Sequence, residues 1–233
     1  KQVTDFLRFS DRELGGALSA FEVMWRDYYE VVTTAPAENA RPVPLDYPYY
    51  VLIEALGTAQ DQDTNVFEEI MGQAFEAGHI SDAAVARSET DRKAMWRIRD
   101  SVDEFFRFGH AFIYDVSLGI RYMEDYVTDV KRRLTETLPD HHFQTLGHIG
   151  DGYIHFAVSM GEVTAEAHAA VNQCVYEPLQ AIGGSVSAEH GIGTEKLAYL
   201  ELSRSNTEIE LMRRLKQALD PKGILNPGKI FTA

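Results

Sequence analysis

The sequence predicts an α+β fold, an antiparallel sheet flanked by helices. Three observations carry this. Helix-period apolar stripes alternate with short β-branched and aromatic runs along the chain. The runs Phe143 to Ile149 and Tyr153 to Ser159 are joined by Gly150-Asp151-Gly152, which has the residues of a hairpin turn. No glycine-rich strand-turn-helix of the dinucleotide-binding kind occurs, so a doubly wound parallel sheet is not expected.

Taken in order, Asp11 to Tyr29 places Leu14, Leu18, Phe21, Met24 and Trp25 at helical spacing. Thr34 to Pro48 holds four prolines, a density that blocks helix and central strand alike. Tyr49 to Leu56 reads as a strand. Thr64 to Ala77 reads as a helix capped by Asp63 or Thr64, with Val66, Phe67, Ile70, Met71, Ala74 and Phe75 on one face. Ala84 to Phe106 reads as one long helix, Phe112 to Leu118 as a strand, and Met123 to Leu138 as a helix with a clean stripe. After the hairpin come a helix over Gly161 to Ile182, a short strand over Ser185 to Ala188, and helices over Thr194 to Leu202 and Asn206 to Leu219. Asp220-Pro221-Lys222-Gly223 is a turn into the tail.

Composition bounds the function. A chain of 233 residues with 45% hydrophobic and 25% charged residues can bury a core as one large domain or two small interlocked ones. Lys plus Arg is 22 and Asp plus Glu is 36, a net charge of −14, which disfavours nucleic acid and acidic membranes as partners. An anionic substrate must then be captured by a few local cations. The single cysteine, Cys174, excludes an internal disulfide framework and a cysteine zinc cluster. No run approaches about 18 apolar residues, so no membrane span is expected. Lys1 to Asp5 shows no signal-peptide pattern; a cytoplasmic protein, a piece of something longer, is the expectation.

Chemistry-bearing residues concentrate in two glycine-rich segments, His148-Ile-Gly-Asp-Gly-Tyr-Ile-His155 and Ser187-Ala-Glu-His-Gly-Ile-Gly193. A tight turn would set His148 and His155 opposite each other. Two imidazoles with a carboxylate from Glu189 suit a borderline metal, and His190 beside it suits a base. Partly buried strand histidines with satisfied hydrogen bonds are the competing reading, and both stay open on composition alone. Asp151 reads as a turn residue.

These two segments, with Asp220-Pro-Lys-Gly-Ile-Leu-Asn-Pro-Gly-Lys229, resemble the C-terminal half of FAD-linked oxidases of the vanillyl-alcohol-oxidase type. The branch they resemble contains D-2-hydroxyglutarate and D-lactate dehydrogenases. Leu18-Ser-Ala-Phe-Glu22, Trp96-Arg-Ile-Arg-Asp100 and Tyr114-Asp-Val-Ser117 extend the likeness over nearly the whole chain. The resemblance implies that residues 1–233 form the substrate domain, a ferredoxin-like cap, with the FAD-binding domain absent from this chain. It implies a divalent metal, zinc, on His148, His155 and Glu189, and His190 as general base. It implies Arg99 on the substrate carboxylate, and Glu189, His190 and Asn226 beside the flavin. The implied reaction oxidises a D-2-hydroxy acid to a 2-oxo acid by hydride transfer to FAD. The chain alone is then expected to be inactive and not to retain FAD.

Three positions depart from the hydroxyglutarate branch. Tyr153 stands where the family has Asn, Ile113 where that branch has Lys, and Asp103 where it has a hydroxyl residue. Together they favour a substrate with one carboxylate and a neutral side chain, with Tyr153 narrowing or stacking in the pocket. A flavin-free metal-binding or interaction module that keeps the fold, and a flavoprotein oxidase or synthase of another substrate, remain as rivals. The electron acceptor is unspecified and a homodimer is left open. Elsewhere, Tyr28-Tyr29 and Phe105-Phe106 read as core, His141-His142 as a solvated turn, Lys131-Arg132-Arg133 as a helix face and Cys174 as a small buried residue.

Overall fold

The computed structural model describes residues 1–57, 60–161 and 163–231. Its helices and antiparallel strand pairs are those of an α+β fold. The chain divides into two units, one of Lys1–Arg107 with Gln144–Asp151, the other of Phe108–Phe143 with Gly152–Ala233.

In the first unit, helix α1 (Gln2–Leu14) stops at Gly15 and Gly16, whose φ values of 56° and 89° no ordinary side chain favours. Strand β1 (Leu18–Trp25) follows, then the short helix α2 (Arg26–Val32). The single helix expected over Asp11 to Tyr29 is therefore not present. Phe21 to Trp25 are all buried, so β1 lacks the alternation of a half-exposed strand. Such a run cannot be told from a buried helix by periodicity. Strand β2 (Tyr49–Ala55) pairs antiparallel with β1, and β4 (His142–His148) pairs with β1 through Glu22 opposite His148. The proline-rich stretch 34–48 contains neither helix nor strand. Phe6 of α1 packs on Phe21, their rings 5.5 Å apart.

Helix α3 (Gln60–Glu76) starts before the expected caps Asp63 and Thr64, which lie inside its first turns. It buries Ile70, Met71 and Ala74, while Val66 and Phe75 face solvent. Helix α4 is shorter than expected, Glu89–Asp100, because Ser88 caps it by accepting from the Asp91 N–H. A separate 3-10 helix, Val102–Phe106, follows; it buries Phe105 and exposes Phe106, against the expectation that both are core. Tyr28 and Tyr29 are core, and the Tyr28 hydroxyl donates to the Arg99 carbonyl at 2.7 Å.

One ion pair locks α4 to β2. Glu54 accepts from Arg92 Nε at 2.7 Å, Arg92 Nη2 at 3.1 Å and the Trp96 indole at 2.7 Å. These bonds hold its carboxyl below the usual range against the opposing effect of burial. A depressed folded-state value stabilises the fold above the unfolded value of about 4.3, and that contribution is lost as pH falls through the folded value. Glu54→Gln is expected to cost about 1 kcal/mol at pH 7 and close to nothing at pH 3, in urea titrations followed by tryptophan fluorescence. An equal cost at both pH values would disprove an electrostatic origin.

In the second unit, β3 (Ala111–Ser117) pairs antiparallel with β5 (Tyr153–Ser159) in unbroken register. Helices α5 (Met123–Thr137) and α6 (Ala165–Ile182) pack on one face of this ladder. Phe112, Tyr114 and Val116 of β3 and Ile154, Phe156 and Val158 of β5 supply that buried face. The Tyr114 hydroxyl donates to Asn172 at 2.7 Å, and that of Tyr126 to the Val175 carbonyl at 2.7 Å. The α5 stripe is as expected, and α6 starts at Ala165 behind a Thr164 cap, later than Gly161. Residue 162 of that expected helix lies outside the described residues. Cys174 is buried in α6, and Arg132 and Arg133 of the basic run pair with Asp129 on the exposed side of α5. His142 is not in a turn; it opens β4, its ring stacked on Phe108 at 3.8 Å.

The connection between β4 and β5 is a 3-10 turn, Ile149–Asp151, followed by Gly152 at φ 80°. The Gly152 carbonyl accepts from the Leu118 N–H at 3.0 Å, and a Cβ on Gly152 would stand 3.0 Å from the Leu118 carbonyl oxygen. Ser185 makes one bridge to Ser117, but the strand expected over Ser185 to Ala188 does not form. The helix expected over Thr194 to Leu202 is reduced to a 3-10 turn, Leu197–Tyr199, and the four-residue α7 (Leu200–Ser203). Helix α8 (Asn206–Leu219) has the expected bounds and a complete Ser205/Glu208 capping box. Among the described residues no helix is long and apolar enough to cross a membrane.

Candidate functional site

In the first unit the polar centre is Glu22, which points from β1 and is buried. Its carboxylate accepts from Arg99 Nε at 2.9 Å and lies 2.8 Å from His148 Nδ1. Arg99 Nη2 stands 3.0 Å from His148 Nε2. An arginine can only donate, so Nε2 accepts and the His148 proton sits on Nδ1, donated to Glu22. The lone pair of Nε2 is thus taken by Arg99, and the ring can serve as a ligand through that atom only when Arg99 turns away. Burial pushes the Glu22 carboxyl up, but the bonds from His148 and Arg99 hold it below its ordinary value. Burial opposes the Arg99 charge, and the Glu22 bond more than restores it.

In the second unit the strand register sorts the site residues. Cross-strand partners share a face, and β3 pairs Asp115 with His155, Ser117 with Tyr153 and Ile113 with Ala157. This face is opposite the one covered by α5 and α6, because side chains alternate along a strand. His155 Nε2 lies 3.8 Å from Glu189 Oε2, and the rings of His155 and His190 are 6.0 Å apart. His190 is half exposed. Tyr153 is half-buried at the start of β5, and Asp103 is exposed in its 3-10 helix within the first unit.

The loop 187–190 that carries Glu189 and His190 is built on Asp115, which is wholly buried. Its Oδ2 accepts from the backbone N–H groups of Ala188, Glu189 and His190 at 3.0, 2.7 and 2.8 Å, and from the Ser187 hydroxyl at 3.1 Å. The Lys196 ammonium bonds Oδ1, and His190 Nδ1 is 3.3 Å from the same oxygen. Burial drives this carboxyl up, but the ammonium and the two N–H groups of His190 and Glu189 bring it below its ordinary range. The backbone N–H groups of 188–190 are spent on this carboxylate, which is why no strand forms there.

The tail reaches the same loop, with the Ile230 N–H donating to the Gly193 carbonyl at 3.0 Å. Asn226 is exposed at φ 47°, in a turn anchored by Asp220, which accepts from the N–H groups of Ile224 and Leu225 at 3.0 and 2.9 Å. Gly191 and Gly193, at φ 78° and 56°, have open space where a Cβ would stand, so a flat ring can approach the backbone there.

The donors fit the groups the sequence implies. Two ligands of one tetrahedral zinc, each at about 2.1 Å, stand about 3.4 Å apart. His155 Nε2 and Glu189 Oε2, at 3.8 Å, are within a small side-chain adjustment of that. Glu22, Asp115 and Lys196 carry roles that sequence reasoning assigned to no one. Their signal is a charged residue inside an apolar segment, which must bury a partner with it.

The whole chain is similar to known dehydrogenases. Residues 1–230 match the family of FAD linked oxidases, C-terminal domain. The mitochondrial D-2-hydroxyglutarate dehydrogenase of Arabidopsis thaliana is 33% identical over 94% of this chain and 39% of its own length. That of Bos taurus is 35% identical over 94% of this chain and 40% of its own length. The D-2-hydroxyglutarate dehydrogenase of Stutzerimonas stutzeri is 32% identical over 99% of this chain and 47% of its own length. The chain thus spans less than half the length of each of these relatives. Family match and relatives agree with the motifs in both units: this chain belongs to the FAD-linked oxidase family, matching its C-terminal domain.

Proposed function

We propose that this chain is the substrate-binding and catalytic-base half of an FAD-dependent dehydrogenase that oxidises a D-2-hydroxy acid to a 2-oxo acid. The observation that carries the reading is the convergence of His155, Glu189 and His190 on the face of the β3–β5 ladder opposite α5 and α6. In this reading residues 1–233 serve as the substrate domain, and FAD is held in the main by a separate FAD-binding domain. His148, His155 and Glu189 hold a divalent metal, zinc by its donor set. When bound, that ion lowers the pKa of a substrate hydroxyl and orients its carboxylate. FAD supplies the hydride acceptor.

The protein's own groups do the rest. His190 Nε2 takes the C2 hydroxyl proton. Arg99 forks onto the substrate carboxylate, for which it must exchange Glu22 or His148 as partner. Glu189, His190 and Asn226 line the flavin side. Ile113 is uncharged, Asp103 is anionic and Tyr153 is amphipathic, so the side chain they favour is neutral and not a second carboxylate.

The test is the complete flavoprotein with an artificial electron acceptor and a panel of D-2-hydroxy acids. His190→Ala is expected to lower kcat by about 10²–10⁴ with a smaller change in KM. Arg99→Ala is expected to raise KM for every acid. Chelation should abolish turnover and zinc restore it. Turnover insensitive to chelation and to His190→Ala would support instead a flavoprotein that works on another substrate. Turnover of D-2-hydroxyglutarate far above every monocarboxylic acid would overturn the reading of Ile113, Asp103 and Tyr153. No flavin reduction by any acid would favour the metal-binding module without redox activity.

A further inference from the structure

We propose that Asp115 is the positioning residue of His190: one oxygen of its carboxylate folds the loop that carries the base, and the other sets which ring nitrogen of the base holds the proton. This rests on the reading of His190 as the proton acceptor.

The two oxygens have separate tasks. Oδ2 is the common acceptor of three consecutive backbone N–H groups, those of Ala188, Glu189 and His190, and of the Ser187 hydroxyl. Successive N–H groups that converge in this way form a nest for an anion. Here the nest is filled by the protein's own buried carboxylate, so the direction in which Glu189 and His190 leave the backbone is fixed before any ligand arrives. Oδ1 stands 3.3 Å from His190 Nδ1, an ion-pair distance that a small rotation of the ring turns into a hydrogen bond. A carboxylate oxygen can only accept, so in that bond the neutral imidazole carries its proton on Nδ1 and keeps the lone pair on Nε2. That is the form a base needs, and it is the logic of a carboxylate behind a histidine in acyl-transfer triads. Lys196, buried and bonded to Oδ1, supplies the countercharge that lets the carboxylate stay ionised where water does not reach.

Asp115→Asn separates the two tasks. An amide has one acceptor oxygen, and the nest of three N–H groups claims it. The amide NH₂ then turns to the Oδ1 position and donates toward His190 Nδ1, which must accept, while the Lys196 ammonium, which loses Oδ1, keeps the Asp115 carbonyl and the Ser187 hydroxyl as acceptors. The proton moves to Nε2, the wrong nitrogen for a base.

The experiment uses the ¹⁵N-labelled 233-residue chain and long-range ¹H–¹⁵N spectra of the imidazoles at a pH where His190 is neutral. The His190 signals are identified by their loss in His190→Gln. Wild-type His190 is expected as the Nδ1–H form and the Asp115→Asn chain as the Nε2–H form, with amide protection at 188–190 retained in both. An Nε2–H wild type, or no change of form in a folded Asp115→Asn chain, overturns the proposal. Should Asp115→Asn fail to fold, the wild-type spectrum decides alone. In the complete flavoprotein, Asp115→Asn is expected to lower kcat by about 10²–10⁴ and leave KM within a few-fold. The two readings fail differently. If His190 is not the base, His190→Ala leaves kcat unchanged while the wild-type ring still shows Nδ1–H; if Asp115 does not position it, the ring form is wrong while His190→Ala remains inactive.

Discussion

Lys196→Met is expected to lower the unfolding free energy of the chain by about 3 kcal/mol, the scale for stranding one member of a buried ion pair. Both partners are buried, Asp115 at 0% and Lys196 at 6% exposure, so water cannot take over from the lost ammonium. The nest of N–H groups keeps part of the compensation, which holds the loss near the low end of the range. In the double variant Asp115→Asn with Lys196→Met no charge is left stranded and the nest keeps its acceptor oxygen. It should therefore be more stable than Lys196→Met alone. Urea midpoints of wild type, both single variants and the double variant complete the cycle. A loss under about 1 kcal/mol for Lys196→Met would mean that the carboxylate is hydrated and that the ammonium is dispensable.

The second large effect is expected at Phe156. Its side chain is fully buried on the helix side of β5, with its ring 5.1 Å from that of Phe143 and 5.9 Å from that of Tyr126. Phe156→Ala removes a ring that Tyr126 of α5 and Phe143 of β4 close around, and the rigid strand cannot collapse into the space. The expected cost is about 3–5 kcal/mol. The neighbouring His155 points to the opposite face, so the variant should lose stability without losing the chemistry of the site at temperatures where it stays folded. Thermal melting followed by circular dichroism checks the first part, and zinc titration of the folded variant checks the second.

The second unit was the more legible in sequence. The α5 stripe and the strand β3 could be read almost to the residue, because α5 shows one wet face and one dry face and β3 is rich in β-branched and aromatic residues. The first unit hid β1, since Phe21 to Trp25 are buried on both sides and give no alternation, and a run of apolar spacing resembled a helix. The capping serine at 88 and the break at Ser101 divided what looked like one helix, a local hydrogen bond overriding a long amphipathic pattern. At the candidate site, glycine-rich motifs mark His155, Glu189 and His190, and the fold brings these three side chains near one another. Asp115 was readable as part of a motif but not as its hub. Its role depends on three backbone N–H groups more than seventy residues away, and no local pattern encodes that.

The first unit closes its sheet with a segment that arrives late. Its β1 receives β4 from residues 144–148, after the chain has left at Arg107 and traced thirty-six residues of the second unit, 108–143. On the ribosome, helices α1 to α4 and the β1–β2 pair are therefore complete well before the edge of β1 at Glu22 to Met24 finds its partner. During that interval Glu22 also lacks His148, and its carboxylate stands at an open strand edge with Arg99 as its only contributor from the finished segment of the pair described above. A gene cut after Arg107 would make that interval permanent. Any attempt to express the first unit alone has to carry residues 144–151 back to it, by fusion behind Arg107 through a linker, or it yields a strand edge that pairs with the next copy instead.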